Sequence, residues 1–521
     1  MSNTSIDLRR LVKDHPILSA SGAAAAVIAA LAAKYNDRAV FHPARTDIAR
    51  YPGWPLIGNL PMLLQYKDKI YDFFAEGFDE IHSPTIYLSA LGMPMQIGTS
   101  DPVNVEYILK TNFENYEKGP TFHNAMNDLF GHGIFNADGE QWKYQRKTAA
   151  NIFNVKNFRD HFTAVFLLEL QYMRNDIFDV AVETGKELDF HDIMYKFTLD
   201  SFILLGFGVD LGALKQEEKT PFAASFDAAQ LNVFERLLVP GWTIRESLAK
   251  VLIPWKTSMG HHVKVVDQFA RKVVRDRIAE TNSPDYVEKG DLLSRFIQTT
   301  NAEGQTLSET ELRDILVNFV IAGRDTTAQA LSWTFYELMM HVDIQEKLVK
   351  EIFEHITDDI EDDPVALYEA IKDMKYAHAV FYEILRLYPS VPLNQKYALN
   401  DDVWPDGTKI RKGDYVAWCP YAMGRLVGVW GQDARLFRPE RWLTENGDLK
   451  RMPQGQWPAF HAGPRVCLGQ NLATLEALLT ISLLLKRYKF TRVPWHNVTY
   501  QVSLTLPMKM GLKVYVEKRP Q

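Results

Sequence analysis

The sequence predicts one large, mainly α-helical body with small β-sheets, an α+β arrangement. Three observations carry this. Leu312, Ile315, Leu316, Phe319 and Val320 fall at i, i+3, i+4, i+7 and i+8, which is one face of a helix. Leu472 to Leu485 carries a single charge, Glu476, and is apolar enough to be a buried helix. Strand-like runs are short: "TIYLSAL" near residue 88, "DYVAWCP" near 416 and "LKVYVE" near the end. No fixed period recurs, which argues against a solenoid. Hydrophobic residues at 46% of 521 supply an extensive core, and no Gly/Ser linker or charge block marks a seam. A net charge of −7 argues against a generic nucleic-acid binder. The two cysteines, Cys419 and Cys467, are too few for a disulfide framework or a four-cysteine zinc site.

The elements follow in chain order. Pro16 to Ala33 is an uncharged, Ala-rich stretch of 18 residues, with Arg9, Arg10 and Lys13 before it and Lys34 after. That length is near the lower limit for spanning a bilayer, so residues 1–36 are expected to anchor the chain in a membrane. A cleaved signal peptide ending near Ala30-Leu31-Ala32 and a buried helix are the alternatives. Basic residues flank both ends, so the charge count leaves the orientation open. In "RYPGWPLIGNLP", Arg50 to Pro61, prolines and glycines stiffen a hinge assigned to residues 37–61. Residues 62–521 form the single folded body.

Further on, Trp142 and Arg146 of "WKYQRK" stand at i, i+4, with Lys143 and Lys147 on other faces of the same helix. The absence of proline from about 310 to 363 permits one very long helix. In its middle lies "AGRDTT", Ala322 to Thr327. A mid-helix glycine costs about 1 kcal/mol against alanine, so Gly323 needs a local reason. Thr326 can bond back to the Ala322 carbonyl and open the helix locally; an incidental kink is the plain alternative. Glu383 and Arg386 of "EILR" share a helix face and can pair, by themselves no more than a surface ion pair.

The last constellation is "FHAGPRVCLGQ", Phe460 to Gln470. A predicted helix start and Arg465 near Cys467 favour its thiolate. Gly463 and Gly469 remove bulk where something flat could approach. Three readings stand on these residues: an inert buried thiol, a nucleophile with His461 as base, and a metal-ligating thiolate.

Phe460, Gly463, Arg465, Cys467 and Gly469 match, at every defined position, the haem-binding signature Phe-x-x-Gly-x-Arg-x-Cys-x-Gly of the cytochrome P450 family, which the chain resembles from the proline hinge to the C-terminus. The resemblance implies the cytochrome P450 fold and haem b (iron protoporphyrin IX), with Cys467 as axial iron ligand and Arg465 as partner to a haem propionate. The W-x-x-x-R pair Trp142 and Arg146 is implied to contact a propionate. Arg441 of "FRPERW" is implied to join Glu383 and Arg386 in a buried network, with Trp442 where the family usually has Phe. The Ala-Gly-x-Asp-Thr-Thr match implies that Thr326 stabilises iron-bound dioxygen and that Asp325 helps relay protons.

"FTLDSFILLGFGVDL", "AGRDTTAQALSWTFYEL" and "YAMGRLVGVWGQDARLFRPERW" resemble the clan that ω-hydroxylates fatty acids and alkanes. The implied enzyme is a monooxygenase using O2, with electrons from a separate NADPH-cytochrome P450 reductase, with or without cytochrome b5, since the chain ends soon after the haem region. Lys143 and Lys147 are candidates for docking that donor. The implied location is the endoplasmic reticulum membrane, with a single-pass anchor, a cytosolic catalytic domain and contact with membrane lipid. An apolar channel is expected from Phe319, Val320, Val391, Leu393, Leu504 and Leu506. Alternatives are hydroxylation of a sterol, aromatic or secondary metabolite, a reductase-independent rearrangement of hydroperoxides, and a haem sensor or carrier. The last two leave Asp325-Thr326 without a purpose.

Overall fold

The computed structural model describes residues 16–150, 161–253, 255, 257–285, 291–300 and 304–520. Arg9, Arg10 and Lys13 lie outside them. The helices used below, numbered in chain order, are α1 (Pro16–Lys34), α2 (Ile70–Ile81), α3 (Gly139–Ala150), α4 (Phe190–Phe207), α5 (Pro221–Leu238), α6 (Trp242–Leu252), α7 (Glu309–Val320), α8 (Thr326–Met340), α9 (Val342–His355), α10 (Lys375–Leu387) and α11 (Gln470–Arg487).

Three sheets complete the body. The largest has six strands: β1 (Ala49–Arg50), β2 (Thr85–Leu88), β3 (Gln96–Thr99), β9 (Tyr415–Trp418), β6 (Asn394–Ala398) and β4 (Tyr116–Glu117), neighbours in that order. β2 and β3 pair antiparallel with Thr85 opposite Thr99, and β3 then runs parallel to β9. A second sheet orders β10 (Tyr488–Arg492), β11 (Lys513–Lys518) and β5 (Leu188–Asp189); β7 (Asp402–Val403) pairs with β8 (Lys409–Ile410). The three expected strand runs thus appear as β2, β9 and β11. β3 and β6 lack the alternation that would have marked them, whereas β10, Tyr-Lys-Phe-Thr-Arg, has it and is a strand that sequence reasoning missed.

Local chemistry explains the helices around the site. Asp189 caps α4 by accepting the Asp192 N–H, and Gly208, at φ 62°, ends it in the left-handed region. Ser308 and Glu311 form a capping box at the start of α7. The expected stripe from Leu312 to Val320 is wholly buried. One uninterrupted helix from 310 to 363 is not what forms. Ile321–Asp325 is a π-helical turn joining α7 to α8, and the path breaks at His341, whose backbone (φ −122°, ψ 76°) leaves the helical region before α9. The α7–α8 rod crosses the molecule against α4, α10 and α11, and α11 is the apolar helix predicted from Leu472–Leu485.

α1 is exposed along most of its length, which removes the buried-helix alternative. Among the described residues no helix is long and apolar enough to cross a membrane. The proline-rich stretch winds onto the large sheet: β1 pairs parallel with β2, and Gly58 bridges Ala90.

Candidate active site

The cysteine loop is closed by its own backbone, the Cys467 N–H donating to the Phe460 carbonyl at 2.8 Å. Gly463 has φ 61°, and a Cβ there would strike the Leu109 carbonyl, so its glycine serves a turn and a close backbone approach. That corrects the expectation that it clears space for a flat ligand. Gly469 caps α11 and does face the cavity.

Cys467 opens onto a cavity of about 420 Å³. Phe460, Arg465, Gly469, Trp142, Arg146, Gly323 and Thr326 line the same cavity; Gly463 and Asp325 do not. The walls beyond are apolar, from Phe130, Phe202 and Phe319 out to Phe234, Leu238, Leu63 and Met93. Of the expected channel residues, Phe319, Val391, Leu393 and Leu504 face this space, whereas Val320 and Leu506 turn into the core.

The thiol departs from expectation in one respect. α11 starts at Gln470, three residues beyond Cys467, and Arg465 spends its guanidinium on Asp138 (2.5 Å) and the Ala137 carbonyl (2.9 Å). Burial therefore raises the Cys467 pKa, against the smaller opposing effects of the Gly469 N–H and the Arg146 charge. The thiolate needs a further cation at the sulfur. His461 offers no base: its Nδ1 faces the Ala462 carbonyl at 3.1 Å, and burial lowers its pKa to about 3. The nucleophile reading falls with it.

One end of the cavity is rich in cations. Burial lowers Lys118 to about 7 and Arg465 to about 10, and it depresses Arg146 as well. Lys396, fully buried behind them, is held well below its usual range by burial and by Arg465 and Lys118. Asp138 and Glu117 are the carboxylates among them. Burial would raise Asp138, but its bond to His123 and the Arg465 charge carry it down to about 2. Arg146 has no hydrogen-bond or ion-pair partner among the described residues, and Arg465 Nε is buried and unpartnered. Lys118 and Lys396 escaped the sequence, because an isolated lysine carries no periodic signal.

On the opposite wall, Thr326 Oγ1 donates to the Ala322 carbonyl at 2.7 Å across the π-helical turn, the local opening expected there. Gly323 has its reason in Phe202: a Cβ would fall inside that ring. Asp325 points away, accepting from Gln230 at 2.9 Å and from Arg324 at 3.2 Å. Arg324 also pairs with Asp227, which pairs with the half-exposed Lys219. Burial lifts Asp325 to about 6. Glu476, the single charge between Leu472 and Leu485, lines the cavity as a carboxyl pushed well above the usual range by burial, its Oε1 without a partner.

Behind the cysteine loop, Glu383 binds both faces of the Arg386 fork at 2.7 Å and Arg441 Nε at 3.0 Å. Trp442 adds an indole N–H bond to Glu383 at 2.9 Å, which a phenylalanine could not make. Arg386 reaches on to the carbonyls of Gly424, Ala434 and Leu436.

A helical body that holds one thiol against an apolar cavity, with an arginine lacking any partner among the described residues beside it, has the arrangement of a haem-thiolate protein. A family model described as Cytochrome P450 matches residues 50–509. Cytochrome P450 704B1 of Arabidopsis thaliana is 39% identical, over 89% of this chain and 94% of that protein. Cytochrome P450 94A2 of Vicia sativa is 34% identical, over 94% and 95%. Cytochrome P450 monooxygenase cyp1 of Mycosarcoma maydis is 33% identical, over 92% and 77%. The chain belongs to the cytochrome P450 family and is a monooxygenase whose cofactor is haem b. The residues present fit that group. The donor set offers one sulfur for an iron, and Arg146, without a partner among the described residues, and the unpartnered Nε of Arg465 suit the two carboxylates on one edge of a flat macrocycle.

Proposed function

We propose that this monooxygenase hydroxylates a long-chain fatty acid, or a related alkane, at or near its terminal methyl. The observation that carries the proposal is the apolar cavity that Cys467 shares with Phe319, Val391, Leu504, Leu63 and Met93. The likeness to the ω-hydroxylating clan supports it. Bound haem would supply the oxidative chemistry, in which one atom of O2 enters a C–H bond and the other leaves as water at the expense of two electrons and two protons. The chain's own residues do the rest. Cys467 would hold the iron, and Arg146 and Arg465, beside Trp142, would take the propionates. Phe319, Val391 and Leu504 exclude water and admit an aliphatic chain end-on. A terminal C–H bond is stronger than its internal neighbours, so only a wall that hides the penultimate methylene selects it. Thr326 places a hydroxyl at the cavity wall for proton delivery, and Asp325 is the titratable group behind it, held through Arg324, which keeps its own proton, beside the partly exposed Asp227–Lys219 pair.

The electrons come from an NADPH-dependent reductase, with or without cytochrome b5, and the endoplasmic reticulum membrane is the proposed location. Support comes from exposed apolar side chains. Ile244, Leu248, Val251 and Leu252 of α6 project outward with Trp255 close behind, and Phe41 and Trp54 are exposed too. Pro240, just before α6, packs on Gly92 of the β2–β3 hairpin that carries Ala90 and Met93 into the cavity wall. Lipid contact at this face would deliver an apolar substrate near the outer end of the cavity.

The test is product analysis with purified protein, reductase, NADPH and a series of saturated acids. Dominant ω-hydroxy acids are the expected result. If no acid binds or turns over while a sterol or aromatic does, the substrate assignment fails. In the same assay Thr326→Ala keeps its haem and its substrate-binding spectrum but diverts NADPH into peroxide; unchanged coupling would remove Thr326 from proton delivery.

A further inference from the structure

The loop between β10 and β11 is closed at its base by a bridge between Tyr500 and Met508 and by the Gln501 N–H donating to the Pro507 carbonyl at 2.8 Å. Between these ends, Leu504 and Thr505 face the cavity. Their neighbours Ser503 and Leu506 are buried and have no strand partner, yet each has both backbone groups occupied by side chains from elsewhere. The Tyr71 hydroxyl of α2 donates to the Ser503 carbonyl at 2.5 Å and accepts its N–H at 3.3 Å. On the far side, Gln329 Oε1 accepts the Leu506 N–H at 2.8 Å, and the Trp333 indole, one turn along α8, donates to the Leu506 carbonyl at 3.0 Å. The Gln329 amide also donates to Thr505 Oγ1 and to the Tyr195 hydroxyl, both at 2.7 Å.

We infer that Gln329, with Tyr71 and Trp333, is a positioning residue that sets which carbon of the substrate is oxidised. Gln329 is fully buried and does not line the cavity. An amide in that place would be costly unless bonded, and here its acceptor and both donor hydrogens are used, all but one of these bonds going to this loop. What the clamp holds is the piece of wall made by Leu504 and Thr505. Choosing a terminal methyl over the adjacent methylene requires the wall to be held to within about 1 Å. A turn without strand partners drifts by that much unless its backbone groups are tied. The inference rests on the chain-end reading of the substrate, and it assigns that selectivity to residues out of the substrate's reach.

The experiment compares haem-loaded wild type with Gln329→Leu, Trp333→Phe and Tyr71→Phe. Tyr71→Phe deletes one hydroxyl at the end opposite Gln329, so it separates loop control from general damage to α8. Two quantities are read: deuterium uptake by residues 501–507, and the ratio of ω to ω−1 product from one saturated acid. Expected are faster uptake in all three variants and a ratio lowered by roughly threefold or more in Gln329→Leu, with haem content and the carbon-monoxide spectrum unchanged. Faster uptake with a wild-type ratio in every variant overturns the inference, as does unaltered uptake in Gln329→Leu and Tyr71→Phe. Should wild type make no ω product, the chain-end reading falls. The clamp is then judged by uptake and by the product ratio on whatever substrate wild type does oxidise.

Discussion

Cys419 and Cys467 are the same residue type 48 positions apart in chain, and their surroundings give them opposite fates. Cys419 is buried in the core, donates to the Pro392 carbonyl at 3.2 Å and has its thiol pushed up to about 12 by burial. Cys467 opens onto the cavity with Arg146 as its nearest positive influence. Cys467→Ala should therefore abolish the red-shifted Soret band of the reduced, carbon-monoxide-bound protein. Cys419→Ala should keep the band and cost about 1 kcal/mol of stability, as a small core truncation does. The reverse pattern in a reduced difference spectrum would reassign the ligand.

Among elements, the decisive join is between α10 and the stretch from Gly424 to Trp442. Glu383 and Arg386 are both fully buried, and Glu383 accepts from Arg386, Arg441, Trp442 and the Arg438 N–H. Removing one partner of such a pair leaves an uncompensated buried charge, at a cost of about 3–5 kcal/mol. The pair Lys143–Glu140 is exposed to water, which screens it, and contributes little by comparison. Glu383→Ala should thus lower the urea midpoint sharply and yield protein that retains little haem, while Glu140→Ala changes neither. Equal midpoints for the two variants would mean that the network does not hold the cysteine loop's support in place.

At the scale of the whole molecule, the membrane attachment proposed above can be tested element by element. α1 falls short of a spanning helix, so attachment is expected to be shared with α6. A variant lacking residues 1–34 should still float with phospholipid vesicles. Replacing Ile244, Leu248 and Val251 by serine in that background should release it. If the truncated protein with α6 intact stays free of vesicles, membrane contact belongs to the N-terminal segment alone.

Local patterns determined much of this protein. The stripe from Leu312 to Val320 and the apolar run of α11 are set by near neighbours, through helical period, whereas the five signature residues around Cys467 were legible only by their resemblance to the cytochrome P450 family. The weakened helix at Thr326 is set locally too, because its hydroxyl competes with the backbone one turn away. The tertiary structure decided what depends on distant partners. Gly463 answers to Leu109, Gly323 to Phe202, and the Cys467 thiol to burial that outweighs Arg146. Lys118 and Lys396 join Arg465 at one end of the cavity only because β4, β6 and the cysteine loop converge. Whether Leu504 faces the substrate and Leu506 the core turns on side chains more than a hundred residues away, Gln329 and Trp333. Period and spacing reach a few residues along the chain; electrostatics and packing act across space, and the fold alone sets those distances.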